Sequence, residues 1–221
     1  MNFLEIQFAL RGKTLPADHG YALYSALKNI VSEESKKKDL NNTDIQNFPP
    51  EVILSSIPGV PDRKGLIYLN RSSRLRLRCP SEQAQQWYRL FQNQVLDIRG
   101  NLIRLVQPRL CLLEPSEILK ARLVTFKFEK WDIHEAPVYF LESCKKALLR
   151  LEISGKAFID SNSDGDLAVR SLRIKQKNVM GFGVVVENLN EEDSIKLQCY
   201  GLGGRKHFGC GWFYPCSEVQ A

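Results

Sequence analysis

The sequence contains no run of about 18 apolar residues, so it offers no membrane-spanning helix. Its six cysteines (Cys79, Cys111, Cys144, Cys199, Cys210 and Cys216) include no C-x-x-C pair, and no histidine stands at metal-ligand spacing from any of them. A zinc site is therefore not expected, and the cysteines read as reduced thiols, mostly buried as small hydrophobes. The N-terminal stretch carries Glu5 among its apolar residues and lacks a basic leader, which argues against a secretion signal and for a cytoplasmic protein. With 43% hydrophobic and 25% charged residues, the chain is neither disordered nor collagen-like.

What is present is a chain of 221 residues, enough for one large domain or two compact ones. Its 31 basic against 25 acidic residues give a net charge of +6. That excess favours a polyanionic partner without saying anything about fold.

Hydrophobic periodicity gives the organisation. Asn2–Arg11 alternates as a strand, and Pro16 and Asp18 supply helix-start chemistry for an amphipathic helix reaching about Ser32. The polar stretch Glu33–Pro50, with its Lys36-Lys37-Lys38 run, reads as a long loop. Val52–Ile57, Gly65–Asn70 and Arg74–Cys79 read as strands, and Ser81–Gln92 as a helix capped by Ser81. Val95–Ile98 and Leu102–Leu113 return to strand.

The second half repeats the order. A strand at Ile118–Phe128 and a helix at Ala136–Leu151 precede a short strand at Lys156–Ile159, with which Leu167–Lys175 is expected to pair across the Asn162–Gly165 turn. A strand over Val179–Glu187, a helix over Glu191–Tyr200 and a last strand at Phe208–Tyr214 follow. Both halves then read as βαββαβ units. The expected fold is α+β, two tandem ferredoxin-like (RRM-like) domains over 1–115 and 116–221.

Three segments could carry chemistry. The first is the glycine-rich stretch Gly201-Leu-Gly-Gly-Arg-Lys-His-Phe-Gly-Cys-Gly211. Glycines let backbone amides approach an anion, and Arg205 and Lys206 add charge at the same place. The stretch is no dinucleotide fingerprint, which would need glycine where Lys206 stands, and no Walker loop, because it lacks G-K-[ST]. Phosphate-backbone binding is the functional reading; a helix C-cap is the structural one.

In the second segment, Arg71 precedes a strand in which Arg74, Arg76 and Arg78 share one face and Leu75 and Leu77 the other. Guanidiniums so placed repel one another without an anion and suit polyphosphate recognition, unless the face is simply solvated. Arg173, Lys175 and Lys177 repeat the device.

The third is His19. It lies beside the core-facing stripe of the first helix, so it reads either as a packed structural histidine or, with Tyr24 and Lys28, as part of a proton-transfer and phosphorane-stabilising group. His134 reads as surface, and His207 as an RNA contact within the glycine-rich stretch.

The segments Arg11–Leu27 (R-G-K-T-L-P-A-D-H-G-Y-A-L-Y-S-A-L), the R-L-R-L-R strand, Val179–Gly183 and Gly201–Pro215 together resemble the CRISPR repeat-processing endoribonucleases of the Myxan-type branch, in order and nearly end to end. The resemblance implies paired ferredoxin-like domains and binding of a CRISPR repeat stem-loop. It implies metal-free cleavage by 2′-hydroxyl attack, and retention on the crRNA 3′ handle beside other Cascade-type subunits. It implies no cofactor and no membrane. RNA contact carries over to Gly201, Gly203, Gly204, Arg205, Lys206, Gly209 and Gly211. Branch members often have a second histidine after the first helix, and Ile30–Lys38 here has none. Catalysis then falls to His19, or the protein is a non-catalytic subunit that holds the repeat.

Overall fold

The computed structural model describes residues 2–37, 48–127, 134–162 and 164–216. They divide into two compact units, one ending at Leu112 and one beginning at Leu113. Both are mixed α+β with antiparallel sheets.

The first unit runs β1 (Phe3–Arg11), β2 (Thr14–Pro16), α1 (Gly20–Lys37), β3 (Ile53–Leu54), β4 (Val60–Pro61), β5 (Leu66–Tyr68), β6 (Arg74–Pro80), α2 (Ser81–Phe91), β7 (Val95–Ile98) and β8 (Asn101–Cys111). The main sheet has the order β3-β6-β1-β8-β7, and a small sheet the order β2-β5-β4. Alternation along the central strands sends Ile6 and Phe8, Leu75 and Leu77, and Ile103 and Leu105 to one face. There they meet Leu23, Leu27 and Val31 of α1 and Ala84, Trp87 and Phe91 of α2. Phe48 stacks on Trp87 with ring centroids 5.1 Å apart. Side chains of this size each contribute about 1.5–3 kcal/mol when fully buried.

Four sequence expectations change here. Pro16 does not open the helix: Leu15 is fully buried and its strand pairs with β5, so α1 begins at Gly20. That same pairing takes β5 out of the main sheet. The helix continues past Ser32 to Lys37, with the Ser35 hydroxyl donating to the Val31 carbonyl at 2.9 Å; the remainder of the expected loop up to residue 47 lies outside the described residues. Ser81 is already helical, with the extended Pro80 at the cap position and no side-chain cap, and its N–H donates to the Asn2 carbonyl at 2.8 Å.

The second unit runs β9 (Leu119–Val124), α3 (Ala136–Arg150), β10 (Lys156–Ile159), β11 (Val169–Ile174), β12 (Lys177–Glu187), α4 (Glu191–Tyr200), a 3₁₀ turn (Lys206–Phe208) and β13 (Phe213–Pro215). Its sheet has the order β10-β12-β9-β13. Leu119, Ala121, Val184, Val186 and Phe213 form one face, covered by Phe140, Cys144 and Leu148 of α3 and Leu197 of α4. The Asn190 side chain caps α4 by accepting from the Asp193 N–H at 2.8 Å.

The expected β10–β11 pairing is replaced by a β11–β12 hairpin. Strand β12 is long enough to take β10 along Val184–Glu187 and β11 along Lys177–Phe182, and the Ser161–Leu167 bridge links the two shorter strands' flanks. The last strand starts at Phe213 rather than Phe208, since the residues before it fold into the glycine-rich loop. Among the described residues, no helix is long and apolar enough to cross a membrane.

Candidate functional site

His19 immediately precedes α1, and its carbonyl accepts from the Leu23 N–H to close the first helical turn. Its ring is 2% exposed. Nε2 accepts from the Ile57 N–H at 3.0 Å, with the Ser56 hydroxyl at 3.4 Å. An accepting Nε2 requires the proton on Nδ1, which donates to the Pro16 carbonyl at 2.9 Å. Both ring nitrogens thus tie the β2–α1 connection to the segment entering β4. Tyr24 packs its ring against Phe48 at 5.5 Å, and Lys28 follows one turn later on α1, half-buried. Of the two readings open for His19, this geometry favours the packed one.

The arginine strand is divided in its use. Leu75 and Leu77 face the core as expected. The register sets Glu5 directly opposite Arg78. The Arg78 Nε donates to Glu5 at 2.8 Å with both groups buried, and Arg76 lies 3.8 Å from the same carboxylate. Arg78 therefore faces an internal counter-ion rather than outward, and the anion that the stripe requires is partly supplied by β1. Arg74 donates to the carbonyls of Arg71 and Ser73 at 2.7 and 2.9 Å, bracing its own turn, while Arg71 itself is exposed.

In the second unit the glycine-rich loop returns from α4 and lies against the end of β9. The Gly204 N–H donates to the Thr125 carbonyl, and the Gly211 N–H to the Leu123 carbonyl. Gly203 (φ +75°) and Gly211 (φ +67°) are required here: a Cβ on either would collide with the carbonyl oxygen of Thr125 or Leu202. Close backbone packing thus accounts for those two glycines. Gly204 is exposed with room around it. Cys210 and Phe208 pack on Leu123, Leu172 and Ile174, which brings the loop onto the β11–β12 hairpin.

That packing unites two separate sequence signals. Lys175 and Lys177 at the hairpin tip and Arg205 of the loop line one groove of about 610 Å³, floored by Ile174 and Val179. Arg205 is left-handed (φ 60°) and its guanidinium reaches the Thr125 hydroxyl at 3.4 Å. Arg173 alternates to the side of the hairpin opposite Ile174 and does not line the groove. Lys206 and His207 sit half-buried in the 3₁₀ turn, and burial holds the Lys206 ammonium below the usual lysine range.

The sequence reading missed three exposed arginines of the first sheet, Arg11, Arg104 and Arg109. Arg104 and Arg109 are five positions apart, so a strict period of two assigns them to opposite faces. A β-bulge changes this: Gln7 pairs with Arg109 but Ala9 with Val106, and Gln107 is left-handed. The local signal for the bulge is Pro108, which cannot donate to the ladder and, inside a central strand, marks an irregularity. Among the described residues, no group of histidine, cysteine and carboxylate side chains is arranged to hold a metal.

Comparison with known proteins adds the family. A family model described as Cas6 Crispr matches residues 4–218. The CRISPR-associated endonuclease Cas6 of Myxococcus xanthus (strain DK1622) is 33% identical over 215 residues, spanning 97% of this chain and 82% of the relative. A solved structure of a CRISPR associated protein Cas6 matches with a TM-score of 0.67 at 12% identity, covering 96% of this chain and 99% of that one. A structure from the characterization of a Cas6-related gene from Pyrococcus furiosus gives 0.66 at 17% identity, covering 98% and 99%. At these identities the structural likeness speaks for the fold. By sequence, over nearly its whole length, the chain belongs to the Cas6 family of CRISPR proteins.

Proposed function

We propose that this protein processes CRISPR precursor transcripts in the cytoplasm: it binds the repeat as a stem-loop, cuts the RNA at its base without a metal, and stays on the 3′ handle beside other Cascade-type subunits. The observation that carries this reading is the convergence of Lys175, Lys177 and Arg205 on one groove in a Cas6-family chain. Three cations around an open groove suit a phosphate backbone, and A-form RNA is held chiefly through backbone and shape. The strand orders support reading each unit as ferredoxin-like. In sequence order of the four principal strands, β1, β3, β6 and β8 lie as 2-3-1-4, and β9, β10, β12 and β13 do the same.

In the proposed reaction a 2′-hydroxyl loses its proton, attacks the adjacent phosphorus and expels the 5′-oxygen, which gains a proton. The products are a 2′,3′-cyclic phosphate and a 5′-hydroxyl. Lys28 supplies positive charge for the phosphorane and Tyr24 a phenol for proton transfer. His19, held by Pro16 and Ile57, acts as the positioning residue that fixes the start of α1. The test is the pH–rate profile of His19→Ala on repeat RNA. A positioning role lowers the rate but keeps the profile's shape, whereas loss of one limb would make His19 the proton carrier.

The engagement of both His19 nitrogens also favours a second reading, a non-catalytic subunit holding the repeat. Tight binding of repeat RNA by wild type with no cut at any pH decides for it.

A further inference from the structure

Strand β10 ends its sheet: β12 pairs along one side of it, and among the described residues no strand lies along the other. Just beyond it, the Asp160 N–H donates to the Gly183 carbonyl of β12 at 2.9 Å. Main-chain groups alternate in direction along a strand, so Lys156 and Phe158 also turn theirs to β12, and Ala157 and Ile159 turn theirs to the open side. Edge strands are ordinarily blunted by charge, a bulge or a covering element. Strand β10 keeps regular register with β12, and its one charged side chain, Lys156, sets its ammonium 4.9 Å over the Phe158 ring. Beside this edge, α3 and β10 frame a groove of about 670 Å³ walled by Val138, Leu141, Leu149, Ile153 and Ala157. Val138 and Leu149 lie about three turns apart on one side of α3, and are 60% and 65% exposed.

We infer that this edge and groove are a docking site for an extended segment of another protein in which apolar and acidic residues alternate. A strand laid along β10 takes its main-chain hydrogen bonds from Ala157 and Ile159. Ala157 turns its side chain to the helix-covered face of the sheet. Every second side chain of the added strand therefore lies over Leu141 and Leu149, and the others lie beside Lys156 and Phe158. Aliphatic residues fit the first set. Charge decides the second: Lys145 on the helix wall and Lys156 on the strand have no carboxylate partner among the described residues, against the single carboxylate of Glu142 in the lining. The groove's aliphatic walls offer no aromatic ring or guanidinium plane for a base to stack on, which favours protein over RNA. The site lies wholly within the second unit and does not depend on the RNA reading above.

The experiment uses the full chain with fluorescein-labelled octapeptides, read by anisotropy and by hydrogen exchange. An octapeptide of alternating glutamate and valine binds saturably and slows exchange at the Ala157 and Ile159 amides. Leu149→Asp, at an exposed position, weakens this binding about tenfold or more while leaving the melting temperature and hairpin-RNA binding at wild-type values. Ala157→Pro, which removes an outward donor and no bond to β12, weakens it likewise. The octapeptide of alternating lysine and valine binds at least about tenfold more weakly than its glutamate counterpart, because it meets Lys145 and Lys156 with like charge. Equal binding by wild type and Leu149→Asp, or unchanged exchange at Ala157 and Ile159 with the peptide in excess, overturns the site. Concentration-dependent dimerisation that Leu149→Asp abolishes overturns the foreign partner and assigns the face to a second copy of this chain. Preference for an oligouridylate over the glutamate peptide, lost in Leu149→Asp, overturns it in favour of RNA. Peptide binding by a wild-type protein that neither binds nor cuts hairpin RNA still supports the site, and removes only the RNA reading.

Discussion

Glu5 and Arg78 face each other across β1 and β6 at 2.8 Å, both almost wholly out of water. Removing one member of such a pair leaves an uncompensated buried charge, which costs about 3–5 kcal/mol. Glu5→Gln is therefore expected to lower the urea midpoint strongly, and Glu5→Leu/Arg78→Leu much less, because the double change removes both charges. A single variant as stable as wild type in equilibrium unfolding would show that the pair is not closed in solution.

His19→Ala leaves the Ile57 N–H and the Pro16 carbonyl without their partner. Each unsatisfied group costs about 1–3 kcal/mol when buried. The expected result is a lower melting temperature and faster hydrogen exchange at Ile57, alongside slower cleavage. Full stability with abolished cleavage would contradict the positioning role.

The groove predicts its own salt signature. Replacing Lys175 and Lys177 by alanine, or Arg205 by asparagine, which tolerates the left-handed backbone there, should weaken repeat-RNA binding across sequences. It should reduce the salt slope by about 0.9 for each duplex phosphate that is no longer neutralised. Titrating labelled hairpin RNA at several salt concentrations reads both effects, and an unchanged slope argues that the groove does not touch the backbone.

Lys206 gives a pH dependence with a defined sign. Burial lowers its value from 10.5, so it loses its charge before exposed lysines do as pH rises. Affinity for a 2′-O-methyl RNA hairpin should begin to fall in the window below 10.5, and Lys206→Arg should remove that early fall. The unfolded chain holds this proton more tightly, so the contribution of Lys206 to stability grows as pH rises through the same window. A Lys206→Arg titration superimposable on wild type would place no RNA near this ammonium.

The cysteines differ in reactivity. Burial pushes Cys144 up to about 12, and burial followed by the nearby Glu82 does the same for Cys79, whereas Cys216 is exposed. Iodoacetamide at neutral pH should label Cys216 well before either buried thiol, with Cys79 and Cys144 reacting only on unfolding. Mass spectrometry of time-quenched samples checks the order.

The elements that alternate or repeat cleanly were legible in the sequence: β1, β6, α2, α3 and α4 fall close to their expected positions. What was not legible depends on pairing. The choice of β12 over β10 as the partner of β11, and the small sheet that captures Pro16, are settled by pairing rather than by local pattern, whereas the bulge that turns Arg109 has a local mark in Pro108. The candidate site divides in the same way. Glycines and cations of the loop could be read directly, yet that Lys175, Lys177 and Arg205 share a groove follows only from Phe208 and Cys210 packing on Leu172 and Ile174. That the Glu5 carboxylate claims Arg78 is visible only once Glu5 is placed in register.

The most direct test of the central claim is cleavage of a 5′-labelled CRISPR repeat hairpin by wild-type protein in excess EDTA, with the product ends identified. The account predicts one cut at the base of the hairpin, leaving a 2′,3′-cyclic phosphate on the labelled fragment and a 5′-hydroxyl on the other. Cleavage that appears only when magnesium is restored, or that leaves a 3′-hydroxyl, would contradict it.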